Sequence, residues 1–159
     1  MTFTTADLCD AFGPVVRVAA PIFRDYGGLI RFGGPIETVQ VSEDNGLVAQ
    51  VLETAGDGRV LVVDGGGSLR CALVGGRLAA LAHRNKWAGL VINGCVRDST
   101  EIREIPLGVR AINSSPRRGG KSGAGQRGDT LSFAGVTFSP GHFLYADEDG
   151  VVLADRSLT

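Results

Sequence analysis

The chain has 159 residues, a net charge of −1 at pH 7, 43% apolar and 21% charged residues. That length makes about one domain, which buries roughly 68 to 70% of its unfolded surface and needs no staple. The balance excludes a disordered chain and a global basic field for nucleic acid, and the longest apolar runs, such as Val60 to Val63, fall far short of the roughly 20 residues of a membrane helix.

In chain order, Thr4 or Thr5 can cap a short helix over Ala6 to Phe12 that Gly13-Pro14 stops. Residues Gly34 to Val41 alternate and are rich in β-branched side chains, which predicts a strand. Asp44 or Asn45 can then cap a helix whose Leu47, Val48, Val51 and Leu52 share a face, ending in the turn Ala55-Gly56-Asp57-Gly58. The continuous apolar run Val60 to Val63 predicts a strand covered on both faces. After the glycine loop Asp64 to Gly67, helical spacing of Val74, Leu78, Leu81 and Ala82 predicts a helix over Leu73 to Asn85, and Ala88 to Gly94 a second buried strand. Strand, helix and strand form a βαβ unit. A helical turn at Ser99 to Glu104, a strand at Gly108 to Asn113 and two hairpins, 130–138 and 143–154, complete a mixed α/β layer structure.

No basic region followed by an apolar stretch opens the chain, so no secretory signal is expected and the protein is read as cytoplasmic. Cys9, Cys71 and Cys95 lack C-x-x-C spacing and only two histidines accompany them, which predicts reduced, buried thiols rather than a zinc site or disulfides. The basic stretch Arg117-Arg118 to Lys121 and Arg127 has no interleaved aromatics and reads first as a solvated loop, so nucleic acid is not an expected partner.

Glycines 65 to 67, 75 and 76 cluster at the βαβ crossover, where strand ends and a helix start form a crevice. They make neither G-x-G-x-x-G nor G-K-[ST], so a nucleotide is a poor fit. Glycine at 75 and 76 permits either close approach of an anion to backbone N–H groups or tight packing of helix on strand. Arg97 and Asp98 follow the second buried strand at the same sheet edge. Arginine offers a fork that grips a carboxylate, and aspartate a hard oxygen for Mg²⁺ or Mn²⁺. The same Asp98 can equally cap the helical turn after it.

The segments Val62 to Gly67, Ala72 to Gly76, Gly89 to Asp98, Gly135 to Gly141 and Ala146 to Val152, in that order, resemble the RraA-like family, which contains class II 4-hydroxy-4-methyl-2-oxoglutarate aldolases and regulators of ribonuclease E activity. The resemblance covers nearly the whole chain. It implies one domain over 1–159, a β/β/α swivelling-domain fold of the α/β class with a mixed sheet and a C-terminal β-hairpin region, assembled as a homotrimer or a dimer of trimers. It also implies a site in which Gly75, Gly76, Arg77 and Leu78 with Arg97 bind a small 2-oxo acid, Asp98 ligates Mg²⁺ or Mn²⁺, and Arg97 and Asp98 act as the catalytic pair. The implied reaction is release of pyruvate through its enolate, with oxaloacetate decarboxylation as a side activity. The aldolase members carry an acid at the position of Gly76, so a group that steadies metal-bound water is expected to be missing and activity to be weak. The alternative the resemblance implies is a non-catalytic inhibitor of ribonuclease E. His83 and His142 are expected to be structural or surface residues.

Overall fold

The computed structural model describes residues 2–159, and Met1 lies outside them. Helix α1 (Thr5–Phe12) begins where the Thr4 side chain accepts a hydrogen bond from the N–H of Asp7, and it ends at Gly13, whose φ of 53° suits glycine. A second anchor ties this helix to the far end of the chain. Both the N–H and the hydroxyl of Thr5 donate to the carboxylate of Asp147, each at 2.6 Å.

Four strands form the centre of the sheet. They are β3 (Phe32–Gln40), β4 (Val60–Asp64), β6 (Gly89–Val96) and β7 (Gly108–Ser114), paired with one another in parallel. Short β1 (Arg17–Val18) and β2 (Arg24–Asp25) lie at the two edges, and β11 (Phe143–Asp147) and β12 (Gly150–Ala154) extend the sheet antiparallel from β3. The order is β1-β12-β11-β3-β4-β6-β7-β2, with β5 (Ala72–Val74) beside β6 and β8 (Gln126–Arg127) beside β3. A separate hairpin joins β9 (Leu131–Phe133) to β10 (Val136–Phe138).

The apolar run of β4 is explained by burial on both faces. Leu61 and Val63 pack with α2 (Gly46–Leu52), α3 (Gly76–Arg84) and α4 (Ser99–Arg103), whereas Val60 and Val62 pack under the β9–β10 hairpin with Phe138 and Leu144. Across β6 and β7, Gly89 and Gly108 leave room for the ring of Phe32, which lies where a Cβ on either glycine would sit.

One expectation is corrected. Leu73 and Val74 belong to strand β5, and helix α3 starts only at Gly76. Strand β5 pairs with the last residues of β6, past the point where β4 stops, so the crossover contains an extra strand that carries the chain to the site. Short strands β1, β2 and β8, two residues each, carry no periodicity for a sequence to display. Among the described residues no helix is long and apolar enough to cross a membrane, and Cys71 and Cys95 are buried free thiols while Cys9 is half-buried.

Candidate functional site

The glycine loop after β4 is occupied with its own folding. Asp64 accepts from the N–H of Gly66 and from the Asn93 amide, and the N–H groups of Gly65 and Gly67 both donate to the Asn93 carbonyl. Its donors are therefore spent. The crevice forms instead at Gly75 and Gly76, between the end of β5 and the start of α3.

There Asp98 adopts a left-handed conformation, φ 59° and ψ 44°, a region that Asp tolerates better than most residues. The turn swings its carboxylate away from its own helix. It makes no capping bond to α4; Asp98 Oδ2 accepts from the N–H of Gly76 at 2.9 Å. Of the two readings of Asp98, the structure thus has the one that faces the crevice. Arg97 stands beside it, with Cγ and Nε 3.4 and 3.5 Å from the place a Cβ on Gly75 would occupy, and Asp98 Oδ2 is 2.7 Å from the same place. Any side chain at 75 would push this pair apart. Glycine there serves the approach of charged groups to the backbone.

Gly76 has a different neighbour. A Cβ at this position would collide with the carboxylate of Glu101, which reaches back from the first turn of α4. An acid from another element thus lies against Gly76, where the chain itself has none. The spacing of Glu101 from Asp98 gives no signal of this, because Asp98 stands outside the helical turn in a left-handed conformation. In α3 the N–H groups of Arg77 and Leu78, among the described residues, have no protein acceptor, as expected of a first helical turn that has no cap for them.

The basic loop is the second surprise. Ala72 donates to the Arg117 carbonyl and pairs with Arg118 as an isolated parallel bridge, and Asn45 donates to the Gly120 carbonyl. Asp44 then closes the loop: its carboxylate accepts from the Ser122 N–H and hydroxyl, both at 2.7 Å, and from the N–H groups of Gly46 and Gly123 at 3.0 Å. These donors hold its carboxyl down at about 2, the Ser122 hydroxyl contributing most. The solvated loop expected from sequence is correct for Arg117 and Arg127. Arg127 pairs with Glu37 at 3.2 Å, and Arg117 lines a neighbouring groove. Arg118 and Lys121 are exposed as well, and the pinned loop carries them to the crevice.

Together Asn45, Ala72, Gly75, Arg77, Leu78, Arg97, Asp98, Arg118 and Lys121 line a cleft of about 160 Å³. All the expected site residues except Gly76 line it, and Gly76 lies beneath, bonded to Asp98. The volume is well below the roughly 300 Å³ at which pockets for drug-sized ligands begin. A small acid fits that scale better than a nucleotide. For a divalent cation Asp98 is, among the described residues, the carboxylate that lines the cleft, while Glu101 lies against Gly76 and lines the adjoining groove; Mg²⁺ is usually held by one or two carboxylates with water. His83 is exposed on α3 and His142 is half-buried near β11, neither of them lining the cleft.

The model of the RraA-like family, described as Aldolase/RraA, matches residues 5–153. The chain belongs to the RraA-like family. A protein of Alkalilimnicola ehrlichii named "Putative 4-hydroxy-4-methyl-2-oxoglutarate aldolase" is 55% identical over 158 residues, 99% of this chain and 98% of the relative. Among solved structures, the RNA-processing inhibitor RraA from Thermus thermophilis superposes with a TM-score of 0.96 at 45% identity, covering 100% of this chain and 96% of the other. A Geobacillus kaustophilus structure named as an S-adenosylmethionine: 2-dimethylmenaquinone methyltransferase gives the same TM-score at 51% identity, covering 98% and 97%. The expected mixed-sheet α/β fold is therefore the fold of solved RraA-like structures, and this chain's relatives in the family are named as lyases and as an RNA-processing inhibitor.

Proposed function

We propose that this RraA-like protein is a metal-dependent carbon-carbon lyase that cleaves 4-hydroxy-4-methyl-2-oxoglutarate to pyruvate and decarboxylates oxaloacetate. The observation that carries the reading is the grouping of Arg97, Asp98 and Glu101 around Gly75-Gly76. Asp98 is the protein ligand for Mg²⁺ or Mn²⁺, and Glu101 holds a water beside it. The bound cation supplies Lewis acidity to the 2-oxo group.

The chain's own groups do the rest. Unbonded N–H groups of Arg77 and Leu78, at the positive end of α3, receive the substrate's 2-oxo-carboxylate. The guanidinium of Arg97 lies over the same spot and neutralises the negative charge that grows on the 2-oxo oxygen as the carbon-carbon bond breaks and an enolate of pyruvate forms. Glu101, whose carboxylate lies against Gly76 and lines the groove adjoining the cleft, is the nearby acid that would take the proton of the 4-hydroxyl as the carbon-carbon bond breaks and return a proton to the enolate. Aldol cleavage and decarboxylation share that enolate, so one site serves both.

Purified protein with Mg²⁺ or Mn²⁺ should release pyruvate from either substrate, and Asp98→Ala or a chelator should stop it. Absence of turnover above background with both metals rejects the reading. A methyltransferase function is not adopted, because the glycine loop after β4 is no G-x-G-x-x-G and its N–H groups are spent on Asp64 and Asn93. The second reading, inhibition of ribonuclease E, draws on the similarity to the Thermus RraA. It predicts a direct complex that Asp98→Ala leaves intact. For assembly we favour a homotrimer or a dimer of trimers in the cytoplasm, with the exposed Val18, Ile22, Leu29 and Ile30 as apolar surface to be covered; light scattering measures the mass.

A further inference from the structure

Four cations line one small cleft, and only one of them is needed to hold a 2-oxo-carboxylate. Arg77, Arg97, Arg118 and Lys121 all face it, and among the described residues none of their side chains makes an ion pair or a hydrogen bond with the protein. Elsewhere in the chain Arg59, Arg70, Arg103, Arg110 and Arg127 are each paired with an acid. Unpaired like charges brought together by a rigid loop repel one another, so the fold bears a cost that an anionic ligand would offset.

The loop is held firmly enough to aim them. Asp44 grips Ser122 and Gly123 on one side of Lys121, and the pairing of Ala72 with Arg118 fixes the other side. Ala72 lies on the strand that leads directly to Gly75, so Arg118 stands on the side of the cleft that β5 forms, while Arg97 and Asp98 come from the end of β6. Three chain segments, α3, the end of β6 and the loop, thus bring cations to a single small space.

We propose that Arg118 and Lys121 form a second anion subsite, which binds the distal carboxylate of a dicarboxylic 2-oxo acid and makes the site discriminate against monocarboxylic ones. They are specificity-determining residues rather than catalytic ones. The proposal rests on the aldolase reading only for the near carboxylate at Arg97 and the α3 N-terminus. A planar guanidinium matches the distal carboxylate in two bonds, and the ammonium of Lys121 adds charge without fixing geometry. A polyanion such as RNA is a poorer match, because the cleft is small, Arg127 is already paired with Glu37, and no aromatic side chain lines it.

Calorimetry on the full chain with Mn²⁺ tests this using two ligands that lack the 4-hydroxyl needed for aldol cleavage, 2-oxoglutarate with two carboxylates and 2-oxobutyrate with one. The wild type should bind 2-oxoglutarate at least about tenfold more tightly, the scale of one charge-assisted hydrogen-bonded pair. Arg118→Gln with Lys121→Met should reduce that ratio to near one while leaving 2-oxobutyrate affinity and the melting temperature unchanged. Arg127→Gln, on the same loop but outside the cleft, should preserve the ratio. A wild-type ratio near one, a ratio that survives the double substitution, or no binding of either acid overturns the proposal. Failure of the proposed function looks different: no pyruvate release from oxaloacetate, although the affinity ratio behaves as stated.

Discussion

The carboxylate of Glu101 fills the space that a side chain at Gly76 would need. An acid at 76 and an acid at 101 would therefore contend for one space, and the flexible end of Glu101 would have to swing aside to admit a side chain at 76. Glu101→Gln should weaken Mn²⁺ binding and kcat/KM by about 10- to 100-fold, the usual cost of losing a partner to a metal's surroundings. Gly76→Asp in that background should recover most of the loss, while Gly76→Asp alone should not improve the wild type. Titration of Mn²⁺ by paramagnetic resonance and a pyruvate-release assay read the two quantities separately.

Arg97→Lys keeps the charge and loses the planar fork. We expect kcat for oxaloacetate decarboxylation to fall by about 10²- to 10³-fold, the range seen when one donor to a developing oxyanion is removed. Unfolding in urea should be almost unchanged, since the Arg97 side chain makes no hydrogen bond to the protein among the described residues and its backbone bond to Val74 is kept.

Asp44 links acid stability to substrate selection. Its carboxyl lies at about 2 in the folded protein against an ordinary value of 3.8. The stabilisation from this group is complete above 3.8 and is lost as pH falls through about 2. Asp44→Asn should flatten that part of the stability profile, measured as urea midpoints across the same pH window. Because the Ser122 and Gly123 donors lose a charged acceptor and the loop loosens, KM for a dicarboxylic substrate should rise about tenfold with a smaller change in kcat.

Gly108→Ala tests the packing beneath β6 and β7. The added methyl meets the Phe32 ring, and overpacking of this kind typically costs about 1 to 3 kcal/mol. Phe32→Leu combined with Gly108→Ala should be less damaging than the sum of the two changes, as a double-mutant cycle in urea would show.

The central sheet was legible in the sequence wherever burial leaves a pattern. Val60 to Val63 reads as a strand because α2 and α3 cover one face and the β9–β10 hairpin the other. Val74 misled because, with Leu78, Leu81 and Ala82, it also fits helical spacing; what makes the segment a strand is the pairing of Ala72 with Cys95 and of Val74 with Val96, a non-local fact. The site divides in the same way. Arg97 and Asp98 are adjacent in the chain and fall at a strand end, so their meeting place could be foreseen. Glu101 filling the slot at Gly76 depends on how α4 leaves the left-handed turn at Asp98, and the contribution of Arg118 and Lys121 depends on hydrogen bonds between Asp44 and Ser122, which local composition does not reveal.

The anchoring of residues 117–123 by Asp44 at one end and by strand β5 at the other also separates two design problems within one small protein. The groups proposed to handle the enolate sit on β6, α3 and α4, whereas those proposed to measure the length and charge of the acid sit on a loop held mainly at its two ends. Exchanging that loop for one of different length or sign, with Asp44 and its serine and glycine partners retained, offers a route to new substrates that leaves the reacting centre untouched. Diversification of such a scaffold can proceed by loop replacement alone.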